Sequence, residues 1–163
     1  MVTLEQSEPQ TPLDSMVQLA VGRKWPVQRS GDDGALICVQ GLLGKYEIAF
    51  TWFEDIKALH MACGFYLRVP VNRCKELDNL IKTINASLPV GQFTHWSESE
   101  MILYRHSVLC PKERPLSPEQ GFALLKIALN TSDNYGMAFR LVVEGQTTAR
   151  ALKMNIGKTD GSA

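Results

Sequence analysis

Four strand-like segments between Val27 and Val69 follow one another with only short turns between them. The first turn is Gly31 to Gly34, the second is Gly41 to Gly44, and the third follows Phe53. Antiparallel strands can be joined by turns of a few residues, whereas parallel strands need a crossover of about a dozen residues or more. The spacing therefore predicts an antiparallel meander and counts against a parallel, Rossmann-type nucleotide-binding fold.

Two of these segments alternate with the period of a strand, which indicates that each has a buried side. In the segment Lys45–Phe53 the residues on the apolar side are Tyr46, Ile48, Phe50 and Trp52. The segment Leu59–Val69 has a similar apolar side, but its other side carries His60, Ala62 and Tyr66 instead of lysine, glutamate or threonine. Either a helix of the same chain covers this second side, or it is a dimer or partner surface.

Helix-start signals occur at several places. Thr11-Pro12-Leu13-Asp14 and Ser117-Pro118-Glu119-Gln120 each combine a capping residue with a proline at the first helical position, and Pro70 opens a further helix. The residues expected on the apolar side of the helix after Ser117 are Phe122, Leu125, Leu129, Phe139 and Val143. We expect Gly136 to soften or kink that helix, and a short last helix is predicted over Thr147–Asn155.

A second hairpin, Phe93–Trp96 with Met101–Cys110, lies between the second and third helices. The order of elements predicts an α+β fold in which helices cover one face of an antiparallel meandering sheet. We expect a single domain over residues 11–156, preceded by a polar tail, 1–10, and followed by a flexible tail, 157–163.

The balance of charge argues against two classes of partner. Seventeen basic and seventeen acidic residues give a formal net charge of zero, so the cationic excess typical of non-specific nucleic-acid or anionic-membrane binders is absent. The densest group of cations is Arg105, His106, Lys112 and Arg114, and Glu113 interrupts it. We interpret this group as a solvated strand end and expect neither a nucleic-acid nor a membrane partner.

The N-terminal sequence MVTLEQSEPQ lacks the basic start and apolar run of a secretory signal, which favours a cytoplasmic location. The four cysteines are widely spaced and form no C-x-x-C pair: Cys38, Cys63, Cys74 and Cys110. Such spacing is typical of reduced thiols and not of a disulfide framework or a zinc site.

The sequence HWSESEMILYRH, residues 95–106, places a histidine at each end of an acidic stretch. With a turn near Ser97–Glu100, His106 lies about four residues beyond the partner of His95, or roughly 13 Å away, too far for one metal ion. Likewise, His60 and Cys63 are three apart on a strand and point to opposite faces. We expect no metal site, no catalytic residue and no cofactor.

Two runs of sequence, GKYEIAFTWFEDIKALHMACGFYLRVP and LDNLIKTINASLPVGQFTHWSESEMILYRHSVL, resemble the YbjN-type family of bacterial proteins, and the similarity extends from about Trp25 to Val143. The resemblance implies the sandwich of type III secretion chaperones. Proteins with that fold are usually dimers that hold a partner polypeptide in an extended form. It also implies a regulator of sensory transduction without catalytic residues.

Our leading hypothesis is a non-enzymatic cytoplasmic protein that binds a protein partner or itself, as a homodimer, with a chaperone-like or regulatory role in signalling or stress response. The binding surface is expected on an exposed sheet face or strand edge. The candidate partner-binding residues are Trp52, His60, Tyr66, Trp96 and Tyr104.

The alternative hypothesis is a small-molecule sensor or weak enzyme with a pocket between the helices and the sheet. Its candidate residues are His60, His95 and His106, because histidine changes charge near neutral pH.

Overall fold

The structure of the protein, a computed structural model, describes residues 11–112 and 115–159, with side chains to Asn155. The strands are β1 Val27–Ser30, β2 Gly34–Gly41, β3 Gly44–Phe53, β4 Ala58–Tyr66, β5 Gln92–Trp96 and β6 Met101–Leu109. They form one sheet in the order β1-β2-β3-β4-β6-β5, and every neighbouring pair is antiparallel. The meander is therefore confirmed, and β6 lies between β4 and β5.

Four α-helices are present in the described residues. They are α1 Pro12–Gly22, α2 Cys74–Ser87, α3 Pro118–Val143 and α4 Thr148–Thr159. Capping boxes at Thr11 and Ser117 confirm both predicted helix starts. One 3-10 turn, Val71–Arg73, precedes α2. The last helix was predicted to end at Asn155 but continues to Thr159, within the segment predicted as a tail, and residues 1–10 lie outside the described residues.

The core lies between the helices and one face of the sheet. In β3 and β4 alternate side chains are buried: Tyr46, Ile48, Phe50, Trp52, Leu59, Met61, Cys63 and Phe65. They form a single cluster with the buried side chains of α1, α2 and α3, while α4 packs on α2 and α3 instead of on the sheet. The predicted α+β fold is confirmed.

The buried side of α3 differs from the predicted one at Phe122. This ring is 41% exposed, with the Arg23 guanidinium 4.4 Å from its centroid, because Leu124 and Leu125 face the core instead. Close packing, and not the predicted kink, accounts for the glycine at position 136. The side chain of Leu43 occupies the space that a Cβ at Gly136 would need, so this glycine allows the β2–β3 turn to pack closely on α3.

Polar contacts hold the same turn against α3. The Asp133 carboxylate accepts hydrogen bonds from the Tyr46 hydroxyl (2.6 Å) and from the Leu42 backbone N–H (3.0 Å). The Arg140 guanidinium donates to the Leu43 carbonyl at 2.6 Å. Burial, followed by the hydrogen bond to Asp133, raises the pKa of Tyr46 well above its ordinary value. The hydroxyl is therefore a neutral donor at neutral pH.

We predict that Asp133→Ala lowers the free energy of unfolding by about 1–3 kcal/mol, because the buried Tyr46 hydroxyl loses its acceptor. Asp133→Asn is the matched control, since its side-chain oxygen can still accept a hydrogen bond. Urea denaturation of both variants measures the difference. Equal stabilities for Asp133→Ala and the wild type would show that the contact contributes nothing.

Candidate functional site

The side of the sheet opposite the helices, which we call the open face, has no described element packed over it. Tyr66 is 63% exposed, Trp96 50%, Phe53 47% and Leu109 76%, and all four lie on this face by strand alternation. The alternative in which a helix of the same chain covers it is therefore wrong for residues 11–112 and 115–159. The large side chains on this face are exposed instead.

Three large side chains lie in one row at the end of the open face. Tyr66 of β4 pairs with Met101 of β6, which in turn pairs with Trp96 of β5. Side chains directly opposite each other on antiparallel strands have Cβ atoms about 4.5–5.5 Å apart, so they can form one continuous surface. We call Tyr66, Met101 and Trp96 the aromatic corner.

The Tyr66 ring is held in place from the turn before β6. Its hydroxyl donates a hydrogen bond to the Glu100 carboxylate, and the Arg68 Nε lies 3.4 Å from the other carboxylate oxygen. The hydrogen bond to Glu100 raises the pKa of Tyr66. A side chain fixed in this way loses little conformational freedom when a partner covers it.

Two of the five candidate partner-binding residues are not on the surface. Trp52 is only 7% exposed and Tyr104 is fully buried, because strand alternation directs both side chains towards the helices. The Trp52 indole donates to the Glu54 carboxylate at 2.7 Å, and the Tyr104 hydroxyl donates to the Val90 carbonyl at 2.9 Å. Their assignment as surface residues is wrong. For His60, Tyr66 and Trp96, partner binding stays a prediction.

The middle of the open face is polar and centres on His60. Its Nδ1 lies 2.8 Å from the Ser107 hydroxyl, and its Nε2 lies 3.3 Å from the Arg105 Nε. Because a guanidinium nitrogen can only donate, Nε2 must accept and the proton lies on Nδ1, which donates to Ser107. A groove of about 440 Å³ adjoins these residues. Its lining consists of His60, Gly91, Gln92, Arg105, His106 and Ser107.

This arrangement does not activate Ser107 as a nucleophile. Activation requires a histidine whose free nitrogen takes the serine proton and whose other nitrogen donates to an acceptor such as a carboxylate. Here the Arg105 cation occupies the accepting nitrogen of His60. Burial, then Arg105, then His106 lower the pKa of His60, which favours the neutral ring that accepts from Arg105 and donates to Ser107. The outward-facing guanidinium and hydroxyl protons are suited to binding an anion.

The other histidine combinations are not brought together. His95 pairs with Ile102, four residues before His106 on β6, as the sequence predicts. Cys63 is buried on the helix side, whereas His60 lies on the open face, so these two form no pair. No group of three or more potential ligand side chains within the described part of the chain could hold a metal ion.

Sequence reasoning missed the contact of His60 with Arg105 and Ser107. Their pairing arises because β6 lies next to β4, with His60 opposite Ser107 and Ala62 opposite Arg105. The hairpin signal alone brings β6 next to β5 and says nothing of its second neighbour. Only the complete strand order could have revealed this cluster.

Comparison with known proteins shows the family to which the chain belongs. A family model, YbjN, matches residues 12–141, which include the whole sheet and most of α3. The chain belongs to the YbjN family. The family is described as "Putative bacterial sensory transduction regulator". No curated protein and no solved structure gives a significant match.

The description of the YbjN family names a regulatory role and mentions no catalytic activity. The structure adds one finding about membranes: among the described residues, no helix has both the length and the apolar character needed to cross one.

We predict that His60 titrates below its usual pKa of about 6.5. The unfolded chain then binds a proton on His60 more readily than the folded chain does. The contribution of the neutral His60 ring to the free energy of unfolding is therefore complete above about pH 6.5 and is lost as the pH falls through the lowered pKa. NMR titration of the His60 ring in the wild type and in Arg105→Gln measures the shift. We expect a higher midpoint in the variant, and a wild-type midpoint at or above 6.5 would contradict the prediction.

Proposed function

We propose that the chain is a non-enzymatic regulatory protein that binds another polypeptide through its open face, with a second copy of the chain as the partner. The observation that carries the proposal is the aromatic corner, which is exposed and has no described element over it. Tyrosine and tryptophan dominate the binding energy of many protein interfaces, because they bury large areas with little loss of conformational freedom.

A second apolar group supports the same use of the face. Phe53 and Ile56, which are 47% and 65% exposed, lie at the opposite end from the aromatic corner. Between the two ends the face carries small residues such as Ala49 and Ala62. Exposed apolar side chains on a sheet face are suited to the packing of another sheet, which lies about 10 Å away in sheet-on-sheet contacts.

The charge of the chain favours self-association. Its formal net charge is zero, so two copies approach without overall repulsion, and proteins near zero net charge associate more readily. The resemblance to type III secretion chaperones, which are usually dimers, agrees with this proposal. The family description supports a regulatory role, which we place in signalling or stress response.

The proposal that the protein is not an enzyme is supported by the state of its reactive groups. Ser107 lacks an activating base, because the accepting nitrogen of His60 is already occupied by a hydrogen bond from Arg105. Burial raises the pKa of the Cys63 thiol to about 12, so Cys63 remains protonated and unreactive. The sensor alternative is favoured by the groove beside His60, which presents donors for a small anion, and by a second groove between α2 and β5 that His95 lines.

We predict that Tyr66→Thr together with Trp96→Thr abolishes self-association, because the aromatic corner is removed while threonine retains strand propensity. Light scattering after size-exclusion chromatography measures the mass, which should change from dimer to monomer. Val71→Thr, at a residue that is 91% exposed and outside the sheet, is the matched control.

Circular dichroism melting shows whether the double variant remains folded. A folded monomer with an unaffected Val71→Thr control supports the proposal. A wild type that is monomeric at all concentrations contradicts self-association through this face. A dimer that persists in the double variant contradicts the role of the aromatic corner.

A further inference from the structure

Strand β6 is longer than the strand beside it. β5 ends its pairing with Gln92 opposite Arg105, whereas β6 continues to Leu109. On its other side β6 pairs with β4 along its whole length, from Met101 to Leu109. The last part of β6 therefore has a neighbour on one side only.

The direction of the backbone groups in this part of β6 follows from two hydrogen bonds. The Cys110 N–H donates to the Lys57 carbonyl, and the Leu67 N–H donates to the Glu100 carbonyl, each at 2.7 Å. Even-numbered residues of β6 therefore bond towards β4, and odd-numbered residues bond towards β5, because backbone groups alternate in direction along an antiparallel strand.

Ser107 and Leu109 are the odd-numbered residues beyond the end of β5. Their backbone N–H and C=O groups point away from β4, where no strand in the described residues pairs with them. An unpaired strand edge is a template for another extended chain, and this mode of recognition is common in peptide binding.

An apolar groove runs beside this free edge. One stretch of about 470 Å³ lies between the end of β6 and α3, and another of about 430 Å³ continues to the segment before β5. Ala123 and Ile127 of α3 line both stretches, with Val108 and Leu109 on one side and Pro89 and Val90 on the other. Alternate side chains of an added strand would enter this groove.

The charges around the free edge are of one sign. The described residues that line this groove and the adjoining groove beside His60 include Arg105 and Lys126 but no aspartate or glutamate. Arg105 has no carboxylate within salt-bridge distance in the described structure. A second copy of β6 would bring a second Arg105 and is disfavoured, whereas a negatively charged segment is complementary.

We propose that this free edge binds the extended C-terminal tail of a partner polypeptide. The tail adds a strand beside Ser107 and Leu109, and its terminal carboxylate contacts Arg105 and the Ser107 hydroxyl. An antiparallel tail runs towards Gln92, where β5 occupies the edge, so an incoming chain must end or turn there. A parallel tail would bring its positively charged N-terminus to Arg105.

The site extends the proposed function by naming a second partner, and it lies apart from the aromatic corner. Binding at the edge can therefore be tested in the double variant Tyr66→Thr and Trp96→Thr, in which self-association is removed. If the double variant is monomeric and still binds the tail, the two sites are independent. If the wild type is a dimer that does not bind the tail, only the edge proposal fails.

We expect a fluorescein-labelled peptide of alternating valine and threonine with a free C-terminal carboxylate to bind the full chain saturably in fluorescence anisotropy. Leu109→Pro removes an outward backbone donor and none of the donors that bond to β4, and it should weaken binding at least about tenfold. Leu109→Ala is the matched control, because it shortens the side chain and retains the N–H. Circular dichroism of Leu109→Pro checks that the fold is intact.

The carboxylate is tested with the same peptide ending in an amide, which we expect to bind about tenfold more weakly to the wild type. In Arg105→Gln the two peptides should bind alike. The proposal is overturned if the acid peptide shows no saturable binding, or if the acid and amide bind equally to the wild type. If Leu109→Pro misfolds, N-methylation of the peptide backbone tests the same hydrogen bonds on the unaltered protein.

Discussion

The contact between Asp133 and the β2–β3 hairpin sets the arrangement on which the other features depend. Asp133 lies in the longest helix, α3, and accepts hydrogen bonds from the turn residue Leu42 and from the core residue Tyr46. Because Gly136 leaves space for Leu43 one helical turn later, the hairpin can approach α3 closely. Tight turns connect β1, β2, β3 and β4 in succession. Fixing one hairpin on α3 therefore determines which face of the meander is buried.

Burial of one face leaves the other face exposed. With α1, α2 and α3 on the same side, residues such as Tyr66 and Trp96 remain exposed on the other. The position of β6 between β4 and β5 has two further consequences, since it brings Arg105 and Ser107 to His60 and leaves the end of β6 without an outer neighbour. The aromatic corner, the polar groove and the free edge are therefore products of topology and not of a local motif.

The features that sequence could predict are local ones. Strand alternation identified the buried side of β3, and the serine and threonine caps located the starts of two helices, because these signals act within a few residues. Phe122 was assigned to the wrong side of α3, since its position depends on Arg23, the residue that follows α1. Tyr104 was taken for a surface residue because its burial depends on α3 and on Val90, which are distant in sequence.

The two proposed binding surfaces lie at opposite ends of β6, and this separation determines how they could act together. The aromatic corner includes Met101 at the start of the strand, while the free edge ends at Leu109. Four residues of strand, or roughly 13 Å, separate Met101 of the corner from Arg105, where the proposed tail ends, so a dimer contact confined to the corner leaves the free edge accessible. A chain that pairs with itself through the corner would therefore present two free edges. A partner that carries two such tails, as a dimeric partner does, would then bind more tightly through effective concentration, without any new contact.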